Sequence, residues 1–333
     1  MLQRVVVLSN GSIKIFAGST GKVFAERMCK YLGIELGRAD VMRFSDGNIF
    51  VRAGETVRDK DVYLVQPIGM HPNDEFVEIL FWMDAFKRAS ADSVTAIMPY
   101  FSYAKGDKKD EPRVSIRARV CAESIELAGA DRVVTMDLHS PQIQGFFKKP
   151  VDHLFAMPVL CEYIRTLSLD NLVVVSPDAG FAKQAHKFAA ELGASVAIGD
   201  KTRSGHDERA KVLELIGDVQ GKNALIVDDF SISAGTLVDL VRVLKERGAQ
   251  RIDACLTHLM LTEEGVRRLE ESPIERVIGT DSVDNPYLAH STKIKLVSVA
   301  PLFAEAIQCI HSRESMSPLF TKVPDKVFQS SVL

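Results

Sequence analysis

Short runs that are almost wholly apolar recur along the chain, at residues 13–17, 61–66, 94–100, 132–137, 172–176, 195–198, 224–227 and 252–257. Apolar runs without polar alternation mark strands buried on both faces, as in a parallel sheet. Between them lie stretches whose apolar residues repeat at helical spacing. Phe76, Ile79, Leu80 and Met83 do so within residues 73–90, and Leu240, Val241 and Leu244 within residues 236–247. Strand-like and helix-like segments in alternation predict an α/β fold, with mostly parallel sheets flanked by helices.

Two stretches look like copies of one unit. Residues 62–65 lead through a loop to helix 73–90 and strand 94–98, while residues 225–227 lead through an acidic loop to helix 236–247 and strand 252–256. A duplicated α/β domain accounts for both. The boundary is expected near residues 151–157, since Pro158 suits the first turn of a new helix. This division gives an N-terminal domain over residues 1–153, a C-terminal domain over 154–312 and a tail over 313–333. A chain of 333 residues with 46% apolar content can fill two such cores.

A formal charge of −3 argues against nucleic acid as the main partner. No apolar run approaches the length needed to span a membrane, and residues 4–8 are too short for a signal peptide, so a cytoplasmic protein is expected. The five cysteines are scattered, which fits neither a zinc site nor a disulfide framework.

The richest chemistry lies in residues 224–236. An apolar strand is followed by Asp228 and Asp229, then by Ile232, Ser233, Ala234, Gly235 and Thr236 at the start of a helix. Small residues let a phosphate approach the backbone, and helix-start amides attract its charge. Adjacent carboxylates cannot hold a phosphate; they suit sugar hydroxyls or a cation. The combination suggests a polyol phosphate, with a solvated acidic turn capping a helix as the bland alternative. In the first copy the equivalent loop, residues 67–72, lacks the double acid and the small-residue cradle and is not expected to bind sugar phosphate.

Other segments add to this picture. Residues 43–48 read as a hairpin turn. Residues 100–119 hold two aromatics and then Lys105, Lys108, Lys109, Arg113, Arg117 and Arg119, a run that would attract a polyphosphate or would simply be a solvated basic loop. His139 and Asp178 each follow a strand, where α/β sheets bind ligands. Lys201-Thr202-Arg203 opens a polar segment, residues 204–209, that reads as a mobile lid carrying cations suited to phosphoryl transfer. Gly18 to Lys22 hints at a Walker loop, but its glycine spacing is too short and Val23 stands where Ser or Thr is required.

Together these pieces resemble the ribose-phosphate diphosphokinase family, the phosphoribosyl diphosphate (PRPP) synthetases. The resemblance is carried by Arg43-Phe44-Ser45-Asp46-Gly47, Pro99-Tyr100-Phe101, Asp137-Leu138-His139, Gln142-Ile143-Gln144-Gly145-Phe146-Phe147, Val175-Ser176-Pro177-Asp178-Ala179-Gly180 and Val227-Asp228-Asp229, in family order over nearly the whole chain. It implies two type I phosphoribosyltransferase-like domains and transfer of the β,γ-diphosphoryl group of Mg-ATP to the C1 hydroxyl of ribose 5-phosphate. By that resemblance Phe44, Asp46 and Asn48 reach the ATP of a neighbouring subunit, and Lys105, Asp110 and His139 complete the nucleotide pocket. His139 and Asp178 match the Mg²⁺ positions, Lys201 and Arg203 the catalytic lid cations. Asp228 and Asp229 would hold the ribose hydroxyls and the loop from Ile232 to Thr236 the 5-phosphate. A homo-oligomer is implied, dimer-based and hexameric in the family's usual form.

The chain also departs from the family pattern. Ile232 and Ser233 stand where Asp, Ser or Gln and then Thr are usual, Ala234 where Gly is frequent, Asn48 for Glu, and Lys105-Gly106 for Arg-Gln. Arg58 and Gln144 match positions at the interface where phosphate activates and ADP inhibits. Ala300-Pro301 replaces Ser-Gly there, so weakened phosphate activation is expected. Two other functions compete with an active synthetase: a non-catalytic partner subunit, and a plain phosphoribosyltransferase.

Overall fold

The computed structural model describes residues 13–203, 211–320 and 323–331, without the side chains of residues 200–203 and 211–213. The chain first runs through β1 (Ile13–Ala17), α1 (Lys22–Leu32), β2 (Ala39–Arg43), β3 (Ile49–Ala53), β4 (Asp61–Val65), α2 (Pro72–Arg88), β5 (Ser93–Met98), α3 (Arg117–Ala128), β6 (Arg132–Met136) and β7 (Val151–Leu154). It continues through α4 (Met157–Thr166), β8 (Leu172–Ser176), α5 (Ala182–Leu192), β9 (Ser195–Arg203), β10 (Lys211–Ile216), β11 (Asn223–Ser231), α6 (Gly235–Glu246) and β12 (Arg251–Leu259). The last elements are α7 (Glu263–Glu271), β13 (Arg276–Thr280), β14 (Ile294–Val297), α8 (Ala300–Ser312) and α9 (Asp325–Ser331).

Two compact units result. The first spans the chain up to Phe155 and adds Ser282–Asp284 and Val299–Ser331; the second holds Ala156–Asp281 and Asn285–Ser298. The first unit thus differs from the division at residue 312: α8 belongs to it. The reason is an apolar match, with Phe24 of α1 meeting Phe303 of α8 edge-on at 5.3 Å, and the Tyr31 hydroxyl donating to Glu305 Oε2 at 2.8 Å.

The first unit's sheet has the order β1-β4-β5-β6-β7, every neighbouring pair parallel. Its strands are buried on both faces, as their apolar runs require: Ile15, Phe16, Val62, Leu64, Ala96, Ile97, Val133 and Val134 have no exposed surface. Trp82 stacks on Phe86 at 5.1 Å, and Phe86 meets Phe16 at 5.0 Å, which fixes α2 against the sheet. Strands β2 and β3 form a separate antiparallel hairpin packed on α2.

The second unit's sheet has the order β10-β9-β8-β11-β12-β13-β14, parallel except for the β9–β10 pair. Both sheets carry helices, the α/β architecture expected. Several strands were not legible in the apolar pattern. Strand β14 has four residues and is interrupted by Lys295, and β7 contains Asp152 and His153. The segment from Lys201 to Arg203, expected to open a lid, is the end of β9. There its backbone pairs with residues Lys211 to Leu213, which satisfies peptide groups that a loop would leave to water. Residues 204–209, expected to form the lid, lie outside the described residues.

Candidate active site

Strands β8 and β11 are parallel neighbours near the middle of the second sheet. The chain leaves β8 through α5 toward β9 on one side, and leaves β11 through α6 toward β12 on the other. Diverging connections open a crevice at the carboxyl ends of the two strands, the place where α/β sheets take ligands. Strand order in the described part of the first unit runs one way only, so it forms no such crevice.

Asp178 lies just past β8. Its Oδ1 accepts the amides of Gly180 at 2.9 Å and Phe181 at 3.2 Å, which holds the carboxylate at the entrance to α5. Asp228 and Asp229 were expected to follow a strand ending at Val227. In the structure β11 continues to Ser231, because the long β12 supplies ladder partners opposite Asp228, Phe230 and Ser231. Both acids therefore sit on rigid strand backbone. Burial, followed by the charges of Asp229 and Asp178, raises the Asp228 carboxyl well above the usual carboxylate range. That influence places Asp178, Asp228 and Asp229 in one electrostatic neighbourhood, where hydroxyl donors or a cation would relieve the crowding.

The loop after β11 is shaped by what lies behind it. Ile232 carbonyl accepts from the Thr262 amide at 2.9 Å, and Ser233 carbonyl accepts from Arg268 Nη1 at 3.3 Å. Gly265 has no side chain where one would stand 2.5 Å from Ile232 carbonyl, so the first turn of α7 packs directly on the loop. Two carbonyls of the loop are thus engaged by α7 and its N-cap, beside a helix start of the kind that takes anions. Ala234 caps α6 in the left-handed region at φ 56°, buried, and Ser233 Oγ accepts from the Gly235 amide at 3.4 Å. The Ile232 side chain is exposed and Thr236 lies in the first turn of α6. Lys201 and Arg203 belong to β9, the neighbour of β8, but their side chains are outside the described residues.

In the first unit the nucleotide candidates lie on three segments: the β2–β3 hairpin, the stretch between β5 and α3, and the turn after β6. Phe44, Asp46 and Asn48 form the exposed tip of the β2–β3 hairpin, where Asp46 Oδ1 accepts the Asn48 amide at 2.9 Å. Arg43, next to the hairpin's turn, pairs with Asp74, and the Tyr103 hydroxyl donates to Asn73, so the first turn of α2 ties the hairpin to the 3-10 turn that carries Lys105. Asp110 and His139 are exposed, His139 just past β6. Lys108, Lys109, Arg113 and Arg119 are also exposed, and Arg119 pairs with Glu123 at 3.0 Å.

The first unit's counterparts of the phosphate loops are filled from within. Glu75 of α2 accepts the amides of Gly69 and His71, the latter at 2.9 Å, inside the loop expected not to bind sugar phosphate. Glu78 accepts the Ser19 amide at 2.8 Å, the Ser19 hydroxyl at 2.5 Å and Trp82 Nε1 at 3.2 Å. Carboxylates of the protein occupy the amides that an external anion would need. Gly18 and Gly21 allow close approach to Gln66 and to the Val65 carbonyl, a packing role for the glycines that resemble a Walker loop.

Comparison with known proteins decides the family. The model described as the N-terminal domain of ribose phosphate pyrophosphokinase matches residues 13–129, and the phosphoribosyl synthetase-associated domain matches residues 204–321. The ribose-phosphate pyrophosphokinase of Caldanaerobacter subterraneus subsp. tengcongensis is 47% identical over 311 residues, 93% of this chain and 98% of that protein. This chain belongs to the ribose-phosphate pyrophosphokinase family. The family's protein from Aquifex aeolicus is 43% identical over 93% of this chain and 99% of its own length. The crystal structure of phosphoribosylpyrophosphate synthetase from Mycobacterium smegmatis superposes with a TM-score of 0.86 at 36% identity, covering 91% of this chain and 99% of that one.

Within this family member, sequence reasoning missed the residues that hold the site from behind. Thr262 followed by two glutamates is a legible helix N-cap, and its hydroxyl accepts from the Gly265 amide at 3.1 Å. Nothing in that signal told which loop the cap would face. Glu75 and Glu78 fall on the apolar face of α2, a position that marks a buried acid but not its partners.

Proposed function

We propose that the protein is a ribose-phosphate diphosphokinase that transfers the β,γ-diphosphoryl group of Mg-ATP to the C1 hydroxyl of ribose 5-phosphate, giving PRPP and AMP. The observation that carries this is the pairing at β8 and β11: three neighbouring carboxylates, Asp178, Asp228 and Asp229, beside a helix start whose loop carbonyls are held away. Acids for sugar hydroxyls and amides for a phosphate match a pentose phosphate at both ends. Asp228 and Asp229 bind the ribose hydroxyls, and the loop from Ile232 to Thr236 binds the 5-phosphate. Phe44, Asp46, Asn48, Lys105, Asp110 and His139 bind ATP, the hairpin residues serving a neighbouring copy in a dimer-based hexamer. The enzyme acts in the cytoplasm.

Among the described residues no group of three or more His, Cys, Asp or Glu side chains is arranged to hold a metal alone. Magnesium keeps waters and uses one or two carboxylates plus substrate phosphates. Asp178, with hard oxygen donors in an acid-rich neighbourhood, and His139 are its proposed holders. Bound magnesium would offset charge on the triphosphate. The chain's own residues do the rest: the acids and the phosphate loop fix the C1 hydroxyl in line, and Lys201 and Arg203 offset the charge that develops on the moving group.

The test is AMP release by the purified protein with ATP, Mg²⁺ and ribose 5-phosphate. Wild type should release AMP only when the sugar is present, and Lys201→Ala should slow it by about 100-fold or more, the scale of losing one group aimed at transition-state charge. A folded, inactive wild type would make the chain a non-catalytic partner instead. Equal rates in the variant would remove Lys201 from the mechanism.

A further inference from the structure

We infer that His153 is a positioning residue that presents His139 to the nucleotide. This rests on the proposed role of His139 and adds a residue to it. His153 lies in β7 and is buried, with 5% exposure. Its Nε2 accepts the amide of Leu138, the residue before His139, at 2.9 Å. A ring nitrogen that accepts a backbone N–H carries no proton, so the imidazole is neutral and its proton sits on Nδ1. Burial supports the same state by pushing the ring's pKa down to about 4.

The loop needs this hold. Asp137 takes the left-handed region at φ 39°, a conformation that costs a residue with a side chain about 1–2 kcal/mol. Strand β7 grips two consecutive residues there. Leu154 carbonyl accepts the Asp137 amide at 3.1 Å, and the His153 ring accepts the next one. The ring is itself oriented by Phe155, whose centroid lies 4.7 Å away. His139 then emerges at the exposed end of a turn whose two preceding amides are fixed to β7. A buried histidine accepting an amide at the base of the candidate nucleotide loop transmits strand rigidity to the group that touches the ligand.

The experiment compares His153→Leu, which removes the acceptor, with His153→Gln, whose Oε1 reaches about as far as Nε2. In the leucine variant KM for ATP should rise by about 10-fold, the worth of one hydrogen bond. KM for ribose 5-phosphate should stay within about twofold, because its site is elsewhere, and glutamine should restore most of the loss. In a His139→Ala background His153→Leu should change KM for ATP by less than about twofold, since a residue acting through His139 has nothing left to position. Parallel rises in both KM values, additive effects in the double variant, or no rescue by glutamine would each overturn the inference. Wild-type turnover tests the functional reading separately. If turnover is missing, hydrogen exchange still decides: Leu138 amide protection must fall in His153→Leu and return in His153→Gln.

Discussion

At the residue scale the site is a place where stability is given up for chemistry. Asp228 keeps its proton more tightly in the fold than in the unfolded chain, because burial and two acidic neighbours oppose its charge. Its ionisation therefore costs stability as pH rises above the ordinary carboxylate range, and below that range the cost is absent because both states are protonated. Asp228→Asn should melt higher than wild type at about pH 8 and match it near pH 3.5, while losing at least about 10-fold in affinity for ribose 5-phosphate. Thermal scans across pH and a binding titration check both halves; a variant less stable than wild type at every pH would contradict the assignment. Ala234 shows a second balance. Its left-handed backbone costs about 1–2 kcal/mol, whereas glycine would forfeit one buried methyl and add unfolded-chain freedom, together also about 1–2 kcal/mol. Ala234→Gly is expected to leave the unfolding free energy unchanged within about 1 kcal/mol. Denaturant titration measures it, and a loss above about 2 kcal/mol would mean the methyl carries more packing than its size predicts.

At the element scale the two units use the same connections to opposite ends. In the second, α7 and its N-cap hold two carbonyls of the loop between β11 and α6, beside the helix start that we propose takes the 5-phosphate. Gly265→Ala would press a methyl against Ile232 carbonyl, and is expected to raise KM for ribose 5-phosphate about 10-fold or more with KM for ATP unchanged. Steady-state kinetics in both substrates would show it. In the first unit Glu75 supplies the anion itself, so Glu75→Ala should destabilise by about 1.5–3 kcal/mol, the worth of hydrogen bonds to a charged group. Added phosphate should raise the melting point of this variant more than that of wild type; no differential effect would show that the loop amides are not an anion site. The helices and central strands behind these devices were legible because their apolar spacing is strong, as in α2 and α6. The extent of β11 through Asp228 and Asp229 was not, since an acid pair after an apolar run reads as a turn until the length of β12 is known. His153 was hidden for a related reason: a lone histidine in a short strand gives no periodic signal, and only the pairing of β6 with β7 sets it beneath Leu138.

At the scale of the whole molecule, what sequence motifs conveyed was chemistry without depth. The order of the motifs pointed to the family, while the packing of α8 with the first unit emerged only from contacts across the length of the chain. Ala300 and Pro301 form the buried first turn of α8, with proline preset for that position. A stiff, apolar turn where Ser-Gly is usual in the family predicts little activation by inorganic phosphate. Turnover measured over a phosphate titration should be nearly flat, and strong dependence would refute this. No helix among the described residues is long and apolar enough to cross a membrane. The central claim, that a pentose phosphate seated at β8 and β11 receives a diphosphoryl group, is tested most directly by following ATP, Mg²⁺ and ribose 5-phosphate with the purified protein by phosphorus NMR. The account predicts AMP and a pentose bearing a C1 diphosphate in equal amounts; ADP with a singly phosphorylated C1, or ATP left unchanged, would contradict it.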